Sequence, residues 1–442
     1  MTDNQYQAIF QNQKLIQVLR LHPSLDRIKI AEKVNISSPT LYKTFDELKR
    51  NGILNNDNMI EPSFGTFVGF SIGTSVCKIV FLHFDFSIYD CNEFNPFRDR
   101  FVNLIEQKMC ELNISDKENI LEFNSNPQNN YIYFQTPSDF NTLKHYLDAI
   151  CSGLIEFIDN NQLHIISIGV SSTGTIDRFN QTICEAHNLE YLAKRSIDNL
   201  FYPDKNDYFR RQQIGVYLVQ NSAAATIAET FELYRRTENS TLINSKSIAT
   251  IYLEYGIGTG FVFDGKLFSG ANGYAGEIGH IPISNNVLKK ITNKDANTLF
   301  ENKDCSCGAS DCIDHVIHCF VFSANDDDKN ATEKFKNMGS TAIFEYLKED
   351  HTKARALGLI LGYITNLLTA ILNVDLVIFT GKLYKSFSEL EKYIYESLDD
   401  NHLKYNRSDC NIHISKIGTL APAIGAAIHS FYSKIESDLN WD

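Results

Sequence analysis

The sequence predicts an α/β protein that carries a small, all-helical head. Three observations lead there: apolar runs of strand length alternate with longer helical patterns from Phe67 onward, the first sixty residues hold helical periodicity alone, and glycine turns punctuate the alternating part. At 442 residues the chain is too long for one compact core, so two or three domains are expected, and 43% hydrophobic residues are enough to make them globular.

In the head, three short helices are expected between Gln11 and Ile53. Leu15, Ile16 and Leu19 give the first an apolar face, Ile30, Ala31 and Val34 the second, with Ser24 as its cap, and Leu41, Phe45 and Leu48 the third. The third opens at Ser38-Pro39, an N-cap followed by a proline at the first helical position, where the missing N–H costs nothing. Only Asn35-Ile36-Ser37 separates the second from the third, which is helix-turn-helix spacing. In such a unit the second helix of the pair enters the major groove N-terminus first. Ser38, Thr40, Tyr42 and Lys43 are therefore expected at DNA, and Lys49 and Arg50 at phosphates. Asn51-Gly52 ends the helix, and Ile53-Leu54 begins a short wing or linker reaching about Thr66. The competing reading is a helical subdomain whose charged face is merely solvated.

A net charge of −13 argues against nucleic acid, but its distribution softens the objection. Residues 1–60 hold eight Lys/Arg against six Asp/Glu, a weakly basic head on an acidic body. No run approaches the roughly 20 apolar residues of a membrane helix. The polar start Met1-Thr2-Asp3-Asn4-Gln5 lacks the features of a signal peptide, so a cytoplasmic protein is expected.

Strands are expected at Phe67–Ile72, Lys78–Phe84, His164–Val170, Gly215–Val219, Ile248–Glu254 and Leu376–Phe379, and helices at about Leu143–Asp159, Ala223–Tyr234, Ala354–Leu372 and Ala421–Ile435. Two glycine turns, Gly69–Thr74 and Gly256–Gly260, fit a phosphate cradle and a hairpin equally well. The polar stretches Ser284–Asp304 and Ser323–Asn337 read as surface excursions.

The strongest local signal is chemical. His280 closes Gly276-Glu277-Ile278-Gly279-His280, and Cys305, Cys307 and Cys312 follow in a polar loop, supplying one imidazole and three thiols. Zinc in a closed site takes four such ligands in a tetrahedron, and three thiols within eight positions do not look like packing. The remaining cysteines, Cys77, Cys91, Cys110, Cys151, Cys184, Cys319 and Cys410, show no pairing pattern and are expected to pack as thiols.

The order of motifs resembles the ROK family (repressors, open reading frames and sugar kinases), and in particular its repressor branch, in which a winged helix-turn-helix precedes a sugar-kinase-like body. The resemblance rests on Arg27–Ala31, Ser37–Leu54, Gly169–Asp177, Asn221–Glu229, Gly256–His280, Cys305–Cys312 and Val374–Gly381. It implies an actin-like, ribonuclease H-like body of two α/β lobes with a monosaccharide held between them. The expected division is a winged helix-turn-helix over 1–65, a small lobe over 66–180 and a large lobe with the zinc over 181–442, the C-terminal helix returning to the small lobe. Position by position, the sugar contacts implied are Gly174, Asn221, Glu277, the zinc-bound His280, and Asp314, where the family usually has the longer Glu. Zinc on one imidazole nitrogen would fix the tautomer and aim of the other, making the metal structural.

Two acids that the kinase members use are replaced. Ser222 follows Asn221 where the family's catalytic base is an Asp, and Ser71 stands where the first glycine turn normally carries one. A serine hydroxyl without an activating partner is no base near neutral pH. Thr380-Gly381-Lys382 also departs from the paired glycines that kinases set against the nucleotide. The expectation is a sugar-responsive repressor, catalytically inactive, that binds operator DNA as a homodimer or a tetramer. The alternatives are an active ATP-dependent sugar kinase with a DNA module, and a ligand-independent regulator with a vestigial cleft. The 24-residue spacer between His280 and Cys305, longer than the family's usual loop, bears on the fourth zinc ligand.

Overall fold

The computed structural model describes residues 2–111, 130–236, 245–294, 305, 307–309, 311–322, 338–399 and 410–435. The head folds into four helices where the sequence reading expects three: α1 (Asp3–Gln11), α2 (Gln13–Leu21), α3 (Arg27–Val34) and α4 (Ser38–Arg50). Polar composition hides α1, but its start is marked by a capping box in which Thr2 and Gln5 exchange hydrogen bonds, and each bond satisfies an N–H that the first turn leaves unpaired. Asp26, not Ser24, caps α3, because its carboxylate accepts from both Ile28 and Lys29 N–H at 3.0 Å. Asn35, with φ at 60°, ends α3 in the left-handed conformation that asparagine tolerates. The cap of α4 is Ser37, one residue earlier than expected, which makes Ser38 the first helical residue. Leu54 then pairs antiparallel with Ile60 in a miniature wing, its turn held by Asn55 Oδ1 accepting from Asp57 and Met59 N–H.

The body contains two five-stranded sheets of the same design. The first comprises β1 (Thr66–Ile72), β2 (Val76–His83), β3 (Tyr131–Gln135), β4 (Ile165–Ser172) and, past the small hairpin strands β5 (Thr175–Asp177), β6 (Thr182–Glu185) and β7 (Arg195–Ser196), β8 (Gly215–Gln220). The second comprises β9 (Ser247–Leu253), β10 (Ile257–Phe263), β11 (Lys266–Phe268), β12 (Leu376–Gly381) and β13 (Asn411–Ile414). Their orders are β3-β2-β1-β4-β8 and β11-β10-β9-β12-β13. In each, the first three strands of that order run antiparallel to their neighbours and the last two are added in parallel. Parallel additions need crossovers, which the helices provide. These are α5 (Cys91–Glu111), α6 (Phe140–Asp159), α7 (Ile197–Leu200), α8 (Pro203–Arg211) and α9 (Asn221–Arg236), then α10 (Asn285–Thr292), α11 (Ile313–Val316), α12 (Ser340–Glu349), α13 (His351–Leu372), α14 (Phe387–Asp399) and α15 (Ala421–Lys434). With helices on both faces, all seven residues of β1 are buried, which is why its sequence reads as a continuous apolar run.

Three expectations need correction, and one open alternative resolves. The first sheet extends to Gln220, so a lobe boundary at 180 cuts through it: β8 pairs in parallel with β4. The second glycine run takes the hairpin alternative: Gly256 lies in the turn between β9 and β10, where Leu253 pairs with Ile257, and Gly258 and Gly260 continue inside β10, paired with Tyr252 and Thr250. The polar stretch from Ser284 begins with α10, which Ser284 caps and which buries Leu288 and Ile291; residues 295–304 and 323–337 lie outside the described residues. Finally, α13 is long and apolar enough to cross a membrane by length and composition, with a mean hydropathy of 1.6. Here most of it is buried in the second lobe, where Leu357, Ile360 and Ile364 pack with Val377 and Phe379 of β12.

Head and body share one core, and a single cation sits in it. Arg20 on α2 is 2% exposed, with its guanidinium carbon 4.4, 4.0 and 4.2 Å from the ring centres of Phe84, Phe86 and Phe431. Its Nε donates to the Phe84 carbonyl at 2.9 Å. Burial lowers its pKa to about 10, which leaves it charged at neutral pH. Phe84 and Phe86 follow β2 and Phe431 lies on α15, so the arginine fastens the helical head to the first lobe. Arg20→Ala should cost about 3 kcal/mol, from lost cation–π contact and packing together, and should speed proteolytic release of the head. Urea titration beside limited proteolysis measures both effects, and a loss below about 1 kcal/mol would deny the cage this role.

Candidate functional site

Between the two lobes lies a narrow cleft whose empty space, open mouth included, is about 620 Å³. Its polar lining includes Gly174, Asn221, Glu277, His280 and Asp314, so every sugar contact expected from the sequence reaches one cavity. Each is set in place by backbone. Gly174 follows β4 with φ at +91°, and a Cβ there would lie 1.9 Å from the Glu185 carbonyl oxygen, so only glycine fits. Asn221 begins α9 at the C-terminal end of β8; its Nδ2 donates to the Ile72 carbonyl at 3.1 Å, and its Oδ1 accepts from the Ser71 hydroxyl at 3.5 Å. Glu277 Oε1 accepts from Gln220 Nε2, and burial raises its pKa.

Asp314 behaves differently from a carboxylate aimed only at a ligand. It is 5% exposed, and its Oδ1 accepts from Ile257 N–H at 2.8 Å, which braces the start of β10. Burial pushes its pKa up, against the pull of His318 and of that hydrogen bond. The shorter acid thus spends one oxygen on the fold and presents the other to the cleft, 2.9 Å from where a Cβ on Gly256 would be.

Beside the cleft, one ligand atom from each of His280, Cys305, Cys307 and Cys312 lies within 4.8 Å of the others. These four residues could hold a metal ion. The donor set, one imidazole and three thiols, is the kind that tetrahedral zinc takes. Hydrogen bonding from Cys312, with help from His280, drives the Cys305 thiol down to about 2, while the same bond pushes the Cys312 thiol far upward. Orientation divides the imidazole between two tasks: Nδ1 faces Cys305 Sγ at 3.8 Å and Nε2 faces Glu277 Oε2 at 3.9 Å. One nitrogen is directed at the cluster and the other at the cleft.

The position after Asn221 is equally informative. Ser222 is 4% exposed and lines the cleft, and its hydroxyl has no hydrogen-bond partner among the described residues. Among the described residues no carboxylate or imidazole hydrogen-bonds it. Ser71, at the other replaced acid, hydrogen-bonds Asn221 and is 2% exposed.

In the head, Ser38, Thr40, Tyr42, Lys43 and Arg50 are exposed on α4, while Leu41, Phe45 and Leu48 face inward. Tyr42 is stacked under Arg27 of α3, the guanidinium carbon lying 5.2 Å from its ring centre. Lys49 is half-buried and donates to the Asn56 carbonyl at 2.9 Å, so it ties the helix to the wing instead of standing free for a phosphate.

Several cleft residues escaped the sequence reading: Gln220, His187, Asn188, Tyr252 and Glu254. Gln220 could have been found, since it immediately precedes Asn221 at the end of a strand. The pairing of Glu254 with Lys78, 176 residues apart, has no local signature.

Residues 128–430 match the ROK family. A xylose repressor from Caldicellulosiruptor bescii is 27% identical over 154 residues, 34% of this chain and 30% of that protein, so the chain matches less than a third of the length of this curated relative. Among solved structures, a ROK family transcriptional regulator described as a homologue of the E. coli MLC protein superposes with a TM-score of 0.64 at 13% identity, covering 97% of this chain and 98% of the other. A ROK glucokinase from Streptomyces griseus, solved with glucose and AMPPNP, gives 0.54 at 16% identity, covering 83% and 99%. The regulator's match includes the head as well as the body; the glucokinase's covers less of this chain.

Proposed function

The chain belongs to the ROK family, and from that premise we propose that it is a sugar-responsive, DNA-binding transcriptional regulator, a repressor, whose kinase-like body binds a monosaccharide without phosphorylating it. The observation that carries this reading is the unequal survival of the cleft. Gly174, Asn221, Glu277, His280 and Asp314 still converge there, while Ser222 occupies the base position with its hydroxyl unengaged. Paired carboxylates, an amide and an imidazole suit the vicinal hydroxyls of a sugar. Phosphoryl transfer needs in addition a group that accepts the hydroxyl proton, and removing such a group typically costs 10²–10⁴ in rate.

His280, Cys305, Cys307 and Cys312 would hold a structural zinc, which bound there would orient the imidazole and leave no coordination position for water. His280 Nε2 then presents a fixed tautomer to the ligand next to Glu277. In the head, α4 would enter the major groove with Ser38, Thr40, Tyr42 and Lys43 toward bases and Arg50 toward phosphate. A homodimer places two such helices about 34–36 Å apart, one helical turn of DNA. The sugar would act by biasing the angle between lobes and, through the core shared with α2, that spacing.

Duplexes selected from a random pool should contain an inverted repeat. Lys43→Ala should weaken binding to them by about tenfold, the order of 1–3 kcal/mol expected of one groove contact. Retention of full affinity by both Lys43→Ala and Thr40→Ala would remove α4 as the reading helix. The kinase alternative predicts sugar-dependent release of ADP in a coupled assay, and this account predicts none with any hexose or pentose.

A further inference from the structure

The inner end of the cleft contains a charge cluster that sugar binding does not use. Glu254, directly after β9, is 6% exposed and lines the cleft together with Thr74, Tyr252, Gly256 and Gly258. Its Oε1 accepts from Lys78 Nζ at 3.0 Å, a pair whose side chains are each 8% exposed. Its Oε2 accepts from the Tyr252 hydroxyl. Lys382, just past β12 and 5% exposed, lies close enough to act on the same carboxylate electrostatically. Lys78 belongs to the first sheet and Lys382 to the second, so two ammonium groups, one from each lobe, converge on one carboxylate across the interlobe gap. Gly73 completes the surround, since a Cβ there would lie 3.2 Å from Oε2.

Two buried lysines converging on one point, with the backbone of Gly73 beside it, make an anion-binding arrangement, because they supply point charges where backbone can approach closely. Here the chain provides the anion itself. Burial alone would raise the carboxyl of Glu254, but Lys78, Lys382 and the two hydrogen bonds outweigh burial and hold it below its ordinary range. It is therefore ionised at neutral pH. An incoming phosphate must either displace this carboxylate from both lysines or share a desolvated space with it, and Glu277 and Asp314 line the same cleft. Both routes are costly, since like charges in a low-dielectric site repel strongly and a buried carboxylate stripped of its partners is worse still.

We infer that Glu254 is a specificity-determining residue: it fills the anion position of the cleft and restricts the ligand to an uncharged sugar, excluding sugar phosphates and nucleotides. This inference rests on the reading of the cleft as a sugar site, but its central element, the occupied anion position, can be tested without any sugar.

The experiment is calorimetric titration of the full-length wild type, Glu254→Gln and Glu254→Ala with inorganic phosphate, ADP and the pair glucose and glucose 6-phosphate. Wild type is expected to bind neither phosphate nor ADP at millimolar concentration. Both variants leave the lysines without their internal anion and are expected to gain phosphate affinity by about tenfold or more. Glu254→Gln is nearly isosteric and keeps a partner for Tyr252, so it reports even if the alanine variant folds poorly. Wild-type affinity for phosphate or ADP equal to that of the variants would overturn the inference, as would folded variants that gain nothing. If no sugar binds but both variants acquire phosphate, the occupied anion position stands and the sugar reading alone fails.

Discussion

Gly169→Ala is expected to destabilise the protein by more than about 4 kcal/mol, enough to leave most of it unfolded or aggregated at ordinary temperature. A Cβ on Gly169 of β4 would lie 1.8 Å from the Ala426 carbonyl oxygen of α15. Gly69 on β1 meets the Ala423 carbonyl oxygen of the same helix at 2.0 Å, and Gly425 on α15 meets the Ala224 carbonyl oxygen of α9 at 1.7 Å. All three partners are backbone atoms within helices, so no side chain can rotate away; the helix itself must move. Because α15 also carries Phe431 to the Arg20 cage and packs on the helix that begins with Asn221, moving it disturbs the cleft and the head together. Gly339→Ala is the control, since among the described residues nothing lies within 4 Å of a Cβ there and its φ is −78°. Urea denaturation should place the control within about 0.5 kcal/mol of wild type. A Gly169→Ala protein that unfolds within 1 kcal/mol of wild type would mean that the helix has room this packing denies it.

The second large effect concerns the cysteines. Cys312→Ser should reduce bound zinc from about one ion per chain to a small fraction, because a structural site that loses a thiolate loses much of its binding free energy, which approaches about 10–16 kcal/mol in small zinc domains. Cys312 has no exposed surface, and the N–H of Val316 on α11 donates to its carbonyl, so the loop and the short helix bearing Asp314 should loosen with it. Sugar affinity should fall by about 10–100-fold through the misaimed imidazole, the penalty usual for disturbing a metal's supporting groups. Cys110→Ser, at an exposed cysteine on α5, should change neither. Metal analysis together with a thermal melt in the presence and absence of chelator separates the two effects. Undiminished zinc in Cys312→Ser would show that His280, Cys305, Cys307 and Cys312 are not the ligand set.

The sequence signals that proved readable were those with a local physical cause. Helix periodicity and a proline near a helix start disclosed α3 and α4, and continuous apolar runs disclosed β1, β4 and β12 because helices cover both of their faces. The Cys/His cluster was legible because three thiols fall within eight positions. Glycine carried two meanings in β10, since Gly256 lies in the hairpin turn while Gly258 and Gly260 continue into the strand. Gly260 signals a turn by propensity, yet a Cβ there would lie 2.1 Å from Thr226 Oγ1 and 2.8 Å from the Ser222 carbonyl oxygen, so this glycine marks close contact between strand and helix. Polar composition hid α1 and α10, whose apolar residues are few but fully placed, Ala8 and Ile9 in one and Leu288 and Ile291 in the other. The second role of Asp314, as acceptor for Ile257 N–H, and the bridge from Lys78 to Glu254 depend on how distant segments meet. Periodicity carries no record of such meetings.

The central claim is that ligand in the cleft changes how the head holds DNA. Fluorescence anisotropy of a labelled inverted-repeat duplex, titrated with the full-length protein across a panel of unphosphorylated hexoses and pentoses, tests it most directly. The account predicts that one sugar shifts the DNA Kd by about tenfold or more, a coupling of about 1.4 kcal/mol, and that the shift is lost in His280→Ala. A DNA Kd that no sugar in the panel moves, in a protein shown by calorimetry to bind one of them, would contradict it.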